Sequence, residues 1–123
     1  MAIHQSAEDY LEAILRLRMK QGRVRSIDIV GDLQYSKPSV SVAMKKLRES
    51  GHVVMDECGY ITLTEQGEAI AQRIFERHRV LVQMLTALGV EAETAAEEAC
   101  RIEHVISDDT FEKIKNHYRQ QTH

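Results

Sequence analysis

The stretch from Thr64 to Gly89 constrains this chain more than any other. Thr64 is a helix N-cap by residue type, and Gln66 to Glu68 make a polar first turn. Ala69, Ile70, Ile74, Phe75, Val80, Leu81, Met84, Leu85 and Leu88 then recur at helical spacing until Gly89 stops the pattern. At ~1.5 Å per residue the helix spans about 35 Å. A small domain cannot cover that length, so the helix reads as a connector between two layers. His78 lies midway, among Glu76, Arg77 and Arg79. A lone histidine there is more often a surface residue or a structural hydrogen-bonding group than a ligand.

The rest of the chain must fit that connector. Its 123 residues suit one domain, or one domain with a helical extension, and 43% hydrophobic residues are enough for a core. The net charge of -3 excludes a globally basic nucleic-acid coat protein. Charge is uneven, however. Residues 1–64 hold 9 Lys/Arg against 8 Asp/Glu, and residues 65–123 hold 7 against 11. The front half can meet a polyanion, and the back half is better suited to cations. Two cysteines, Cys58 and Cys100, make no disulfide framework, and a reducing cytoplasm is the expected compartment. Met1–Ser6 is too short and polar for a signal peptide, and no run reaches the ~20 apolar residues of a membrane span.

Ahead of the connector, Ser6 to about Gln21 reads as a first helix, with Ser6 as N-cap and Asp9 reaching back to it. Tyr10, Leu11, Ile14, Leu15 and Leu17 form its apolar stripe. Asp9 and Glu12 share one face at i, i+3 spacing, either as a solvated pair near the helix start or as hard oxygen ligands. Val24 to Tyr35 is a short helix entered through Ser26, with Ile27, Val30 and Leu33 pointing inward. After a turn, Ser36 caps a third helix. Lys37 and the chain's only proline, Pro38, fall in its first turn, where proline costs no hydrogen bond. Val40, Met44 and Leu47 form the buried stripe, Gly51 is the stop, and the other faces are rich in Ser and Lys.

Two short helices joined by a tight turn, the second polar and basic, read as a helix-turn-helix. An ordinary helical hairpin has the same outline. The next segment favours the first reading: His52–Met55 and Tyr60–Leu63 alternate as strands around the turn Asp56-Glu57-Cys58-Gly59, which makes a wing. The wing tip is acidic, which predicts a weak phosphate contact or none. Arg25, Ser26, Ser36, Lys37, Pro38, Ser39, Ser41 and Lys45 are the candidates for contact with double-stranded DNA.

Beyond the connector, Glu91 to Ile106 reads as a helix with Ala95, Ala96, Ala99, Ile102 and Val105–Ile106 on one face. Such small residues allow close approach of another helix, and self-association is a natural use. Ser107 or Asp108 caps a last helix from Thr110 to about Arg119, with Phe111, Ile114 and Tyr118 inward. Gln120–His123 is expected to fray. Within the 91–106 helix, Cys100 precedes Glu103 by three residues and His104 by four, so the three share a face. A thiol, a carboxylate and an imidazole within one turn suit a divalent metal, although a solvated Glu-His pair is the commoner use of such residues.

The chain resembles the diphtheria toxin repressor family of metal-dependent transcription regulators, closest to its short manganese transport regulator branch. The resemblance is carried by Ala7 through Ile14, by Lys37-Pro38-Ser39-Val40-Ser41, by Leu63-Thr64-Glu65-Gln66-Gly67, by Arg77-His78-Arg79, and above all by Glu97 through Ser107. It implies a homodimer in which a winged helix-turn-helix, residues 1–64, is followed by a helical dimerisation and metal-binding region, residues 65–123. The fold is mostly α with a small β-hairpin. It also implies metal ligands among Asp9, Glu12, His78, Cys100, Glu103 and His104, the first helix contributing the first two.

The branch differences bear on the metal. Asp9 stands where the iron-sensing branch tends to have methionine, and Glu12 where the manganese branch has its second acidic ligand. Cys100 replaces a metal-bridging glutamate, and at this position the family can use the backbone carbonyl instead of the thiol. Val82 and Ala96 replace ancillary ligands of the iron branch. The expected function is a Mn(II)-activated repressor of metal-uptake genes, with an Fe(II)-dependent repressor next. A winged-helix thiol redox sensor using Cys58 or Cys100 is a rival, and a small metallohydrolase using Glu103 as base is a weaker one. No small-molecule substrate other than the metal ion, no membrane and no catalytic residue are expected.

Overall fold

The computed structural model describes residues 5–121. Six helices and one hairpin follow in the order α1 (Gln5–Gln21), α2 (Ser26–Leu33), α3 (Lys37–Glu49), β1 (Val53–Met55), β2 (Ile61–Leu63), α4 (Glu65–Ala87), α5 (Ala92–Ile102) and α6 (Asp108–Gln121). The mostly helical fold with one hairpin is the expected one. Two compact units result, Met1–Arg73 and Ile74–His123. The opening residues Met1–His4 and the final Thr122–His123 lie outside the described residues, whereas Gln120 and Gln121, expected to fray with the latter, continue α6.

In the first unit, α1 buries Tyr10, Leu11, Ala13, Ile14, Leu15 and Leu17, so it runs through a core rather than across a surface. Ile29 of α2, Val40, Met44 and Leu47 of α3, Val53 of β1 and Ile61 of β2 are buried with it. Each Val, Leu, Ile or Met side chain among them stabilises the fold by about 1.5–3 kcal/mol through removal from water. Arg16 forks onto Asp32 at 3.1 and 3.0 Å, and Arg18 onto Glu68 at 2.6 and 2.8 Å, which tie α1 to α2 and to the start of α4.

Ser36 caps α3 as expected: its Oγ accepts the Ser39 N–H at 3.2 Å, and Pro38 sits in the first turn. The antiparallel hairpin pairs Val53 with Leu63, Val54 with Thr62 and Met55 with Ile61. A third short edge, unforeseen in the sequence, adds to it. Arg25 forms a bridge with Tyr60, and the Ile61 N–H donates to the Val24 carbonyl at 2.7 Å. At the wing tip Oδ1 of Asp56 accepts the N–H groups of Cys58 and Tyr60, both at 2.9 Å. Gly59 supplies the positive φ of +83° that the turn requires.

The wing leads directly into α4. The Thr64 hydroxyl donates to the Gly51 carbonyl at 2.7 Å and accepts the Gly67 N–H at 3.2 Å, so one side chain caps α4 and anchors it to the end of α3. Gly67 is required here by contact: a Cβ would stand 2.0 Å from the His52 carbonyl oxygen.

Several local expectations are corrected. Ser6 lies inside α1 instead of capping it. Ser26 is the first residue of α2 and Arg25 its N-cap; the Arg25 N–H donates to the Asp28 carboxylate at 2.8 Å. Ile29 is the buried residue of α2 at 0% exposure, and Ile27, expected inward, faces out at 55%. The helix stops at Leu33, not Tyr35, because Gln34 adopts a left-handed φ of 59°. Ala69 and Leu88 of the connector pattern are exposed, since the buried face of α4 follows Gly67, Ala71, Ile74, Arg77 and Leu81.

In the second unit, α5 ends at Ile102, four residues before the expected end. The cause is Arg77 on α4. Its Nη1 donates to the carbonyl oxygens of Glu103 (3.1 Å) and Ile106 (2.7 Å), and its Nη2 to the Asp108 carboxylate. The guanidinium thus takes up the main-chain oxygens of the turn between α5 and α6, and it also lies against the Phe111 ring. Ser107 caps α6 by accepting the Thr110 N–H at 3.0 Å. The small-residue stripe is covered within one chain, with Ala95 and Ala99 both at 0% exposure, so these two are not the self-association surface. Val105 is exposed rather than part of that face.

Candidate metal centre and DNA-binding face

Four of the six candidate ligands lie in the second unit. His78 projects from the middle of α4. Cys100 is in the last turn of α5, Glu103 is the residue that ends that helix, and His104 comes next in the turn. The shared helical face expected for the three is therefore replaced by a helix end and a turn. The residues still converge. His78 Nδ1 stands 2.9 Å from Oε2 of Glu103, and His104 Nε2 stands 3.4 Å from Oε1. Cys100 is exposed, and its Sγ lies within 4.8 Å of a Glu103 carboxylate oxygen.

Glu103 is the centre of this group. It is 0% exposed, and its Oε1 accepts no hydrogen bond from the described residues. A carboxylate removed from water with one oxygen unsatisfied is costly unless positive charge is close by. One carboxylate, two imidazoles and a thiol at the rim form a donor set that fits a divalent first-row cation. The remaining candidates, Asp9 (half-buried) and Glu12 (4% exposed), are on α1 of the first unit, one turn apart.

Arg77 was not singled out from the sequence as a site residue, although it holds the turn that carries Glu103 and His104. A signal was present. Arg77 stands three residues after Ile74 and four before Leu81, at a register where a charged side chain must find partners inside the fold.

The DNA-binding candidates cluster at the other end of the chain. Ser36, Lys37, Pro38, Ser39, Ser41 and Lys45 are all exposed along α3, together with Lys46 and Arg48. The Ser36 hydroxyl donates to Ser39 Oγ at 2.8 Å, so these two hydroxyls are fixed before any contact is made. Ser26 is half-buried at the start of α2. The Arg25 guanidinium lies over the Tyr60 ring at 4.4 Å, and that of Arg23 lies 4.9 Å from the same ring centre. Both cations are thus held at the base of the wing. Stacking leaves their N–H edges available to phosphate. Of the two acids at the wing tip, Asp56 uses Oδ1 to hold the turn's own N–H groups and keeps its charge, as Glu57 does.

Residues 2–59 match the iron dependent repressor N-terminal DNA binding domain, and residues 64–123 match the iron dependent repressor metal binding and dimerisation domain. The chain belongs to the iron-dependent repressor family. An uncharacterised HTH-type transcriptional regulator of Methanocaldococcus jannaschii is 37% identical over 113 residues, covering 90% of each chain. The transcriptional regulator MntR of Escherichia coli O6:H1 is 33% identical over 108 residues, 88% of this chain and 70% of that one. Among solved structures, a manganese-dependent transcriptional repressor in complex with manganese superposes with a TM-score of 0.83 at 30% identity. That match covers 91% of this chain and 52% of the other, so the chain spans about half the length of that protein.

Membership in the iron-dependent repressor family makes this chain a metal-responsive DNA-binding regulator and not an enzyme, built to pair with a second copy of itself. Among the described residues no helix is long and apolar enough to cross a membrane.

Proposed function

We propose that the chain is a cytoplasmic, Mn(II)-activated repressor of metal-uptake genes. The observation that carries this reading is the buried Glu103 carboxylate, flanked by His78 and His104 and left with an oxygen that no described residue satisfies. The proposed ligands are His78, Glu103 and His104, with Asp9 and Glu12 as the contribution of α1 and Cys100 at the rim. The family resemblance supports the α1 pair, and their hard oxygens favour Mn(II), with Fe(II) second. Residues 1–64 are assigned to DNA and residues 65–123 to dimerisation and metal.

A bound divalent cation would supply the positive charge that balances the buried Glu103 carboxylate. The chain's own residues do the rest. Arg77 holds the turn that presents Glu103 and His104, and Ser36 fixes the start of α3. Lys37 and Lys45 meet phosphate, while Arg25 reaches the DNA backbone from the base of the wing. In a dimer the two α3 helices must match half-sites about one turn of DNA apart, or a multiple of it. The metal response then works as a population shift toward the dimer geometry that fits this spacing.

The test is a binding titration. A duplex selected from a random library is titrated with the protein in Mn(II), Fe(II), Zn(II) or chelator, and again with Asp9→Met. Tighter binding in Mn(II) than in chelator is expected, with a changed metal preference for the variant. Equal affinity in Mn(II) and chelator would overturn the reading. An unchanged preference would remove Asp9 from metal selection.

A further inference from the structure

The buried stripe of α3 is formed by Val40, Met44 and Leu47. Val42 comes two residues after Val40, about 200° further round the helix axis. It therefore stands on the outer crest of α3, opposite the core, with 54% of its surface exposed. Its neighbours on that crest, at helical spacing, are Pro38, Ser39, Lys45 and Lys46, all exposed. Valine gains nothing there from helix propensity, in which it trails Ala, Lys and Gln, and an isopropyl group in water loses the benefit of burial.

A double helix is the occupant that suits this crest. Lys45 and Lys46 flank Val42 on either side at i+3 and i+4, and Glu49 is the only acid on α3. The cations can meet phosphates on either side of a groove, while the position between them is apolar. In the major groove one base feature is apolar, the C5-methyl of thymine. We infer that Val42 is a specificity-determining residue that packs its isopropyl group against a thymine methyl in each half-site. The inference rests on the proposed role of α3 in DNA binding. It adds a residue absent from the DNA-contact candidates, and it fixes the kind of base that residue reads. The β-branched side chain has few rotamers to lose on contact, which suits shape-based reading of a methyl group.

The test uses the full chain with Mn(II) and a duplex enriched from a random library. Each thymine is replaced in turn by deoxyuridine, which removes the methyl and keeps every hydrogen-bonding group. Loss of affinity by about four-fold is expected at one position per half-site, as for one buried methyl-sized group. In Val42→Ala, a change on an exposed helical position, that penalty disappears while the other thymines behave as before. Val42→Gln shifts the preference at that position toward adenine, which Gln can read through N6 and N7. Uniform tolerance of deoxyuridine, or a penalty that persists in Val42→Ala, overturns the inference and leaves the DNA-binding role intact. Failure of any duplex to be enriched overturns that role, and the inference with it.

Discussion

Nδ1 of His78 stands 2.9 Å from Oε2 of a Glu103 carboxylate that has no access to solvent. The pairing brings a group from the middle of α4 to the residue that ends α5, 25 positions later. Glu103→Gln keeps the size of the side chain and removes its charge. Without metal, the change in melting temperature is expected to be small, because the amide fills the same space and can keep the hydrogen bond to His78. The rise that Mn(II) produces in the parent protein is expected to vanish. A ligand at 100 times its Kd stabilises by about 2.7 kcal/mol, so the lost shift is large enough to read by thermal denaturation. An undiminished Mn(II) shift would remove Glu103 from the ligand set.

Arg77 satisfies two main-chain oxygens and the Asp108 carboxylate from a buried position. Arg77→Met fills similar space and leaves those acceptors without a donor. Destabilisation of about 3 kcal/mol is expected, the scale for breaking a buried charge-assisted network. Urea denaturation measures it. A loss below about 1 kcal/mol would show that water or a neighbouring donor takes over.

Gly67→Ala sets two effects against each other. Alanine is the better helix former by about 1 kcal/mol. Against that, its Cβ would stand 2.0 Å from the His52 carbonyl oxygen, a main-chain atom held by the hairpin. The steric term is expected to win, with net destabilisation of about 2–4 kcal/mol and the loss centred on the wing. Denaturant melts give the sign directly, and a stabilised variant would refute the close approach.

Glu68 is held at a pKa of about 2, against 4.5 for a free glutamate, first by the Arg18 hydrogen bonds and then by that of Gln72. A depressed carboxylate pKa contributes stability above the unfolded value, and that contribution is lost as pH falls through the folded one. Comparing the parent with Glu68→Gln, the stability difference is expected to be constant at neutral pH and to shrink between about pH 4.5 and 2. The pair is partly exposed, so its size is a fraction of a kcal/mol and falls with added salt. Denaturation curves from pH 7 to 2 at two salt concentrations test both statements.

Much of this molecule can be read from its residues. The capped start of α3, its stripe Val40, Met44 and Leu47, the hairpin after it and the long α4 all arise from periodicity and end signals acting over a few residues. Two of the errors share a cause, which is that distant partners decided where a helix begins or ends. The Arg25–Tyr60 bridge stands at the start of α2, where Arg25 rather than Ser26 is the N-cap. Arg77 claimed the turn at Glu103 and ended α5 early. The cluster Cys100, Glu103 and His104 was visible by spacing, but Arg77, which holds it, acts across 26 residues of sequence, where no local pattern reaches.

The wing tip has a consequence for how regulators of this kind can be tuned. Asp56 uses a single oxygen to hold the turn, receiving the N–H groups of Cys58 and Tyr60. Asparagine offers an equivalent oxygen and no charge. Shape and electric field at this tip are therefore separable. One substitution can change how strongly the wing repels a phosphate backbone while its backbone course stays the same. Operator affinity thus has an adjustable element that leaves both α3 and the candidate metal ligands untouched.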